Sequence, residues 1–260
     1  MIFASDLDRT LIYSEKFLLD YSGKVTAVES GKYTSYMSER SVDLLKYIAR
    51  RAIFVPCTTR TIEQYRRIQF FQNVVKPKYS VVSNGANILV EGILDFGYSK
   101  TISMILLNEC AAGEDIIKEF NKLASDLWAQ PFRQADGAFY YCIIDRDKAP
   151  LQELTVFTKW ALEQKWGVSI QGRKLYLVPQ AINKWSAMQR VIEITGDGWI
   201  IGAGDSLLDL PLIKGVNYAI SPAHGELYEQ FGQSGDWMFT NTSGISAGEE
   251  ILNTVISRAM

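Results

Sequence analysis

The stretch FASDLDRTLIY at residues 3–13 decides the fold and shows where to look for chemistry. A short apolar run leads into two aspartates, Asp6 and Asp8, which are separated by one leucine. An apolar run of this kind is typical of a buried strand. Carboxylates are costly to bury without a partner. The stretch therefore predicts a first strand followed directly by two carboxylates, which indicates a functional site at the end of that strand.

Strand and helix patterns alternate along much of the chain after this stretch. Such alternation is typical of a parallel sheet with helices on its faces. The predicted elements are helix 39–50, strand 52–57, helix 62–71, strand 79–83, helix 184–195, strand 199–204, helix 207–214, strand 218–221 and helix 245–258. We predict an α/β fold with a Rossmann-like core and helices on both faces of its sheet.

The regular alternation of strand and helix patterns changes after Asn84-Gly85. Glu91-Gly92 is a hairpin signal, and helices and short strands then alternate in an α+β manner: helix 113–127, strand 137–145, helix 150–165, and the strands VSIQ and KLYLVP. We predict that residues 88–178 form an inserted α+β cap domain. Residues 1–87 and 179–260 then form the core.

Composition excludes several classes of function. The net charge of −2 argues against nucleic acid and acidic membranes as partners. Both are negatively charged, and this chain has no excess of basic residues to attract them. No apolar run reaches the ~18 residues of a membrane span. Cys57, Cys110 and Cys142 lack metal-type or disulfide spacing, which favours a cytoplasmic protein. We expect a monomer or small homo-oligomer. With His224 as its one histidine, the chain disfavours a Ser-His-Asp triad.

Polar residues follow each predicted core strand. Ligands bind at the carboxyl ends of strands in an open parallel sheet. The residues expected there are Asp6 and Asp8 after the first strand, Thr58, Thr59 and Arg60 after the second, Ser83-Asn84-Gly85 after the third, and Asp205 and Asp209 after the fourth, with Lys184 opening the preceding helix. Crowded carboxylates repel one another, and Mg²⁺, which prefers oxygen ligands, relieves that repulsion. A lysine and hydroxyl donors suit a phosphoryl group, so the set predicts a phosphoryl-transfer site with a small phosphorylated substrate.

The same residues resemble the motifs of the haloacid dehalogenase superfamily of phosphatases. DLDRT resembles the first motif, Thr58 in VPCTTR the second, Lys184 in INKWSAM the third, and Asp205 with Asp209 in GAGDSLLDLPLI the fourth. SNGA at 83–86 and the insertion after it resemble the subgroup whose cap lies between the second and third motifs. Sucrose-phosphate and mannosyl-3-phosphoglycerate phosphatases belong to that subgroup. Four motifs in order are far more specific than one DxDxT pattern.

The resemblance implies a role for each acidic residue. Asp6 attacks phosphorus and binds Mg²⁺ through its other oxygen. Asp8 is the general acid and base, and its backbone carbonyl reaches the metal. Asp205 is a further metal ligand. Asp209 binds the metal through water or holds Lys184. From the residue alone, an acid that only stabilises the first turn of the following helix through the helix dipole is equally favoured.

The remaining residues are expected to bind substrate. The resemblance assigns phosphoryl oxygens to Thr58 and Lys184, and Thr59, Arg60 and Asn84 follow strands at the same edge. In the cap, Arg173 is a candidate for the sugar or a carboxylate of the substrate, as are Arg133 and Lys174, although such residues are more often solvated.

Two positions depart from the family pattern. Arg9 stands where glycine is most frequent, and it either contacts substrate or points to solvent. Leu208 stands where asparagine is frequent in this subgroup. The sequence thus predicts a Mg²⁺-dependent phosphatase of a small phosphomonoester, such as a sugar phosphate, acting through an aspartyl-phosphate. A phosphomutase and a non-catalytic phosphometabolite-binding module remain the alternatives.

Overall fold

A computed structural model of the protein describes residues 1–29, 31, 34–232 and 234–259. The chain divides into two compact units. The first comprises Met1–Asp95 and Asn183–Met260, and the second comprises Phe96–Ile182. One segment is thus inserted into a unit that is discontinuous in sequence.

The N-terminal part of the first unit begins with the strand that leads into the two aspartates. Its elements are β1 (Ile2–Ser5), β2 (Tyr13–Ser14), β3 (Val25–Ala27), β4 (Ser35–Ser38), α1 (Glu39–Ala49), β5 (Ile53–Pro56), α2 (Ile62–Arg66), α3 (Gln69–Asn73), β6 (Tyr79–Val82), β7 (Asn87–Val90) and β8 (Ile93–Leu94). Short 3-10 helices lie at Glu15–Phe17 and Ser83–Gly85.

The second unit contains helices and an antiparallel sheet. Its elements are α4 (Phe96–Glu109), α5 (Gly113–Phe120), β9 (Arg133–Ala135), β10 (Phe139–Ile143), α6 (Leu151–Glu163), β11 (Trp166–Gln171) and β12 (Lys174–Pro179). The C-terminal part of the first unit contains α7 (Lys184–Thr195), β13 (Ile200–Ala203), a 3-10 helix (Leu207–Asp209), α8 (Leu210–Gly215), β14 (Tyr218–Ser221), α9 (Glu226–Phe231), β15 (Met238–Phe239) and α10 (Gly244–Ala259).

The central sheet of the first unit is parallel. Its strand order is β15-β14-β13-β1-β5, so β1 lies between a strand from each end of the chain. A parallel bridge between Cys57 and Val81 continues the sheet to β6. Helices flank the sheet, which confirms the predicted α/β class with a parallel Rossmann-like core.

Apolar side chains explain why the sheet folds in this way. Phe3, Phe54 and Ile201 are buried in one hydrophobic cluster with side chains of α1 and α10. Every residue of β1 and β13 is buried, as expected for strands covered on both faces. The buried strands fix where the chain leaves the sheet and enters the polar loops.

Residues between β1 and α1 form a small antiparallel sheet that the sequence patterns did not predict. Its strand order is β2-β4-β3. The single helix predicted over residues 62–71 is also different, since it forms α2 and α3. Ile68 separates them with a non-helical ψ of 88° and is buried in the core cluster.

The second unit has a four-stranded antiparallel sheet of order β11-β12-β10-β9. Side chains of α5 and α6 pack with it around Phe120, Phe157 and Trp166. Residues 88–95, which the sequence analysis placed in the insertion, belong to the first unit, because β7 pairs with β6 along its length. The unit therefore begins at Phe96 and ends at Ile182 rather than at 88 and 178.

In the part of the chain that the structure describes, no helix is both long enough and apolar enough to cross a membrane.

Candidate active site

Three carboxylates meet at the carboxyl ends of β1 and β13. Ser5 pairs with Ala203 in register, and the backbone N–H of Asp6 donates to the carbonyl of Ala203 (2.8 Å). The chain therefore leaves both strands side by side. Oxygens of Asp6, Asp205 and Asp209 lie within 4.8 Å of one another, and all three residues are buried.

Lys184 brings a positive charge to this cluster from the first turn of α7. Its Nζ donates to Asp6 Oδ1 (2.6 Å) and to Asp209 Oδ1, and its side chain is 1% exposed. Asn183 caps the helix by accepting from the backbone N–H of Ser186 (2.9 Å). Gly85 packs on this cap so closely that a Cβ there would lie 2.2 Å from the carbonyl oxygen of Asn183. The loop after β6 thus fixes the start of the helix that carries Lys184.

Asp209 serves as an anchor for Lys184 and for its own loop. Its Oδ2 accepts from the backbone N–H and the hydroxyl of Ser206 (2.9 and 2.8 Å) and from the N–H of Asp205 (3.2 Å). Gly204 leaves room for this arrangement, since a Cβ there would lie 2.4 Å from the Cβ of Asp209. Of the two roles that the resemblance left open, the one seen here is holding Lys184.

Burial shifts the proton affinity of the cluster. Desolvation raises the pKa of Asp6 to about 7, opposed by Lys184 and reinforced by Asp209. Desolvation, followed by the charge of Asp6, raises the pKa of Asp205 well above its ordinary value. A divalent cation with a preference for oxygen ligands would supply positive charge to such a cluster.

Asp8 points to a different partner. Arg60 holds it in a two-pronged ion pair, Nε to Oδ2 and NH2 to Oδ1, each at 2.7 Å. The NH1 of Arg60 donates to the buried carboxylate of Glu29 (2.7 Å), and NH2 also approaches the hydroxyl of Ser35 (3.2 Å). Arg60 was expected to bind phosphate, but its guanidinium is occupied by these acceptors. The carboxylates around it raise its pKa and keep it charged, against the desolvation that lowers it.

Thr58 and Asn84 lie buried at the ends of β5 and β6. The N–H of Thr58 donates to Val81 (2.9 Å), and its carbonyl accepts from the N–H of Asn84 (2.9 Å). Thr58 Oγ1 accepts from the N–H of Arg60 (3.1 Å). Asn84 Oδ1 is buried and has no hydrogen-bond partner among the described residues. These contacts join the two strand ends, while Thr59 is only half-buried.

Arg173 lies in the second unit, at the turn between β11 and β12 that Gly172 permits with a φ of +55°. Its side chain is exposed and its carbonyl accepts from Ile144 (2.8 Å). Arg133 and Lys174 are exposed in β9 and β12 of the same sheet. Their proposed contact with substrate stays a prediction.

The sequence patterns did not single out Glu29 and assigned His224 no role in the site. Glu29 also forms an ion pair with Arg67 (3.4 Å) and accepts from Ser35 Oγ (2.9 Å). His224 joins the loop after β1 to the start of α10, accepting from Gly244 N at Nδ1 (3.0 Å) and contacting the carbonyl of Arg9 through Nε2 (2.8 Å). Both residues contact partners that are distant in sequence, so no local motif predicts these contacts.

Solved structures share this fold over nearly the whole chain. Sucrose-phosphatase from Synechocystis sp. PCC6803, solved with sucrose and phosphate, matches with a TM-score of 0.70 at 19% identity, covering 99% of this chain and 97% of that one. Thermoplasma acidophilum 0175 matches with 0.67 at 14% identity, covering 98% and 96%. BT4131, described as a sugar phosphatase of HAD subclass IIB, matches with 0.62 at 12% identity, covering 99% and 98%. At identities this low, the structural matches establish a common fold and not a common activity.

Sequence comparison identifies the family. No curated protein matches the chain significantly. The family model described as sucrose-6F-phosphate phosphohydrolase, however, matches residues 1–221, which contain all four motifs. The chain therefore belongs to the sucrose-6F-phosphate phosphohydrolase family, and with it to the sugar phosphatases of the haloacid dehalogenase superfamily, which are phosphoric monoester hydrolases.

Proposed function

We propose that this protein hydrolyses a phosphorylated sugar through an aspartyl-phosphate on Asp6 and that it requires Mg²⁺. Sucrose 6F-phosphate is the first candidate substrate, because the matching family is described by it and the Synechocystis relative was solved with sucrose and phosphate. Family membership favours this hydrolase over the phosphomutase and the non-catalytic binding module.

The charge balance of the buried cluster carries the proposal. Asp6, Asp205 and Asp209 contribute three negative charges when ionised, and Lys184 contributes one positive charge. The formal sum is −2 in a volume where the carboxylate oxygens lie within 4.8 Å of one another. A buried excess of this size is costly, and one divalent cation with oxygen ligands cancels it.

The donor set fits magnesium. We propose that side-chain oxygens of Asp6 and Asp205 hold the ion together with the backbone carbonyl of Asp8, as the family resemblance implies. Asp209 does not bind the ion directly in this proposal, since both of its oxygens already accept hydrogen bonds, and it positions Lys184 and the loop instead. When bound, Mg²⁺ neutralises this charge and draws electron density from the phosphoryl oxygens.

The chain's own residues supply the bond changes. A carboxylate oxygen of Asp6 attacks phosphorus, the new O–P bond forms, and the bond from phosphorus to the sugar oxygen breaks. Asp8 gives that oxygen its proton and then takes one from a water molecule that attacks the aspartyl-phosphate. Inorganic phosphate leaves and Asp6 is regenerated. Lys184 balances charge at Asp6, and the buried hydroxyl of Thr58 can donate to a phosphoryl oxygen.

Asp8 must move to act as an acid. Its two oxygens each accept a short hydrogen bond from Arg60, which stabilises the ionised form. The side chain of Asp8 is 48% exposed, so it has room to rotate. We propose that Asp8 leaves Arg60 when it takes up its proton and that Glu29 then retains Arg60 in place.

The second unit is proposed as the specificity domain. Its exposed Arg173 stays a candidate for binding the sugar portion of the substrate, as do Lys174 in β12 and Arg133 in β9 of the same unit. Thr59 and Asn84 stay candidates for the phosphoryl group. Asn84 is the stronger of the two, because its buried amide oxygen has no partner in the described part of the chain.

Phosphate release from a panel of sugar phosphates, sucrose 6F-phosphate included, tests the proposal. We expect release with Mg²⁺, none with EDTA, and a loss of about 10³-fold or more in Asp6→Asn. Asp43→Asn is the matched control, because Asp43 is an exposed carboxylate in a surface pair with Lys46. Acid quenching during turnover should trap label from a ³²P-substrate on wild type and not on Asp6→Asn.

Two results would overturn the mechanism. Release that persists in EDTA refutes the role of Mg²⁺, and release that survives Asp6→Asn refutes the nucleophile. Transfer of the phosphoryl group to a second sugar hydroxyl, stimulated by a sugar bisphosphate, would instead identify a phosphomutase.

A further inference from the structure

The guanidinium of Arg9 lies at the edge of the carboxylate cluster. Its Nε is 3.4 Å from Asp205 Oδ2, and the Asp205 side chain is only 6% exposed. Its NH2 donates to the carbonyl of His224 (2.7 Å). One arginine thus ties the loop after β1 to the loop after β14 and faces a proposed metal ligand.

The position of Arg9 is fixed at its backbone as well. His224 Nδ1 accepts from the N–H of Gly244, so its ring proton is on Nε2 and is donated to the carbonyl of Arg9. Arg9 adopts a φ of +67°, in the left-handed region that side chains with a Cβ rarely occupy. Contacts at both ends of the residue hold this conformation, so the approach of the guanidinium to Asp205 is built into the loop.

The contact with Asp205 has the character of an ion pair without a hydrogen bond. Arg9 Nε is buried and has no hydrogen-bond partner within the described residues. At 3.4 Å from a side chain that is almost fully buried, the charge of Arg9 stabilises the ionised form of Asp205. Arg9 therefore places a second positive charge beside the cluster, in addition to that of Lys184.

We infer that Arg9 is a resident counter-cation of Asp205 that competes with the divalent cation and weakens its binding. The inference rests on the proposed function, since it concerns the magnesium of the same site. A cation entering beside Asp205 must either displace the guanidinium or accept its repulsion. In both cases the free energy of metal binding is less favourable than it would be without Arg9, and the metal-free protein is more stable with it.

Calorimetric titration of Mg²⁺ into the full chain without substrate tests the inference. Arg9→Gln removes the charge but keeps a long polar side chain. We expect it to bind Mg²⁺ roughly 5-fold more tightly than wild type, which corresponds to about 1 kcal/mol at 1.4 kcal/mol per decade. Arg9→Lys keeps the charge and should lie between the two.

Arg190→Gln is the matched control. Arg190 forms an exposed surface pair with Glu193 (3.2 Å) and loses a guanidinium in the same way. It should bind Mg²⁺ like wild type, which shows that the effect of Arg9→Gln does not come from net charge alone.

Melting temperature gives a second readout. Arg9→Gln should melt below wild type in EDTA, and saturating Mg²⁺ should raise its melting temperature by more than it raises that of wild type. A general folding defect would lower stability and metal affinity together, whereas the inference requires them to move in opposite directions.

The outcomes separate the two proposals. Equal or weaker Mg²⁺ binding by Arg9→Gln overturns the role of Arg9 and leaves the magnesium site intact. Binding by neither protein at millimolar Mg²⁺ overturns both the site and the inference. Binding by Arg9→Gln with none by wild type supports the competition.

Discussion

Replacing Lys184 by methionine removes the one buried lysine that balances Asp6 and Asp209. The methionine keeps the length of the side chain and most of its volume. Lys184 is 1% exposed and its two partners are 7% and 0% exposed at their side chains, so both ion pairs are shielded from water. Removing one partner of a buried ion pair typically costs about 3–5 kcal/mol of unfolding free energy. We expect a loss in that range, at its lower end below pH 7.

The pH dependence of this loss identifies its cause. Without Lys184, Asp6 loses the contact that opposes its desolvation, so its pKa rises above the value of about 7 that it has in wild type. Between these two pKa values the folded variant binds one more proton than folded wild type, while the unfolded chains are equal. The unfolding free energy of the variant therefore falls further as pH rises, and the gap to wild type widens by up to about 1.4 kcal/mol per pH unit above pH 7.

Urea unfolding in EDTA at pH 6, 7 and 8, followed by circular dichroism, measures this gap. Lys46→Met is the control, because Lys46 is 38% exposed and its pair with Asp43 spans 3.7 Å. It should change stability by less than about 0.5 kcal/mol at each pH. A cost below about 1 kcal/mol for Lys184→Met, constant with pH, would refute the view that Lys184 is the buried counter-charge of the cluster.

Two further substitutions test the residues that hold the loops of the site. Glu29→Gln removes the buried charge shared by Arg60 and Arg67, and we expect about 3 kcal/mol less stability in urea unfolding, with the exposed Glu63→Gln unchanged. Burial lowers the pKa of His224, so the unfolded chain takes up a proton near pH 6.5 that the folded chain refuses, and stability falls as pH drops below about 6.5. His224→Gln should lose this part of the acid sensitivity, and identical stability profiles from pH 7 to 5 would contradict it.

Buried strands and the polar residues at their ends could be predicted from the sequence. The runs around Phe3, Phe54 and Ile201 are short, apolar and bounded by polar turns, and they form β1, β5 and β13. Because parallel strands end at one edge of a sheet, the same runs predict that Asp6 and Asp205 lie close together. Chemistry that depends on strand ends is therefore readable from local patterns.

Two elements have too little local signal to predict. The sheet of β2, β3 and β4 is built from strands of two, three and four residues that contain several polar side chains. Helix α4 includes the consecutive apolar run Met104–Leu107, and three of its apolar side chains are exposed, so its sequence shows no single apolar face. Tertiary context decides both elements.

The role of Arg60 depends on pairing over long sequence distances. Its partners Asp8 and Glu29 lie 52 and 31 residues away along the chain. Sequence reasoning placed Arg60 correctly after the second strand, where a phosphate ligand is reasonable. Local patterns could not show that Glu29, in the segment between β3 and β4, accepts from the same guanidinium that holds Asp8. Ion-pair choice is set by the fold rather than by the motif.

Every carboxylate of the site has a basic partner, and the three partners come from different parts of the chain. Lys184 holds Asp6 and Asp209, Arg60 holds Asp8, and Arg9 faces Asp205. These partners reduce the repulsion among the acids without a metal, so we expect the first unit to fold in the absence of Mg²⁺, unlike a small domain whose metal supplies its folding energy. This arrangement should weaken metal binding, because each basic side chain near the carboxylates repels an entering divalent cation. On this inference, tight metal binding and a stable metal-free site compete. Arg9 is the most exposed of the three basic side chains, so its substitution should shift that competition with the least damage to the core.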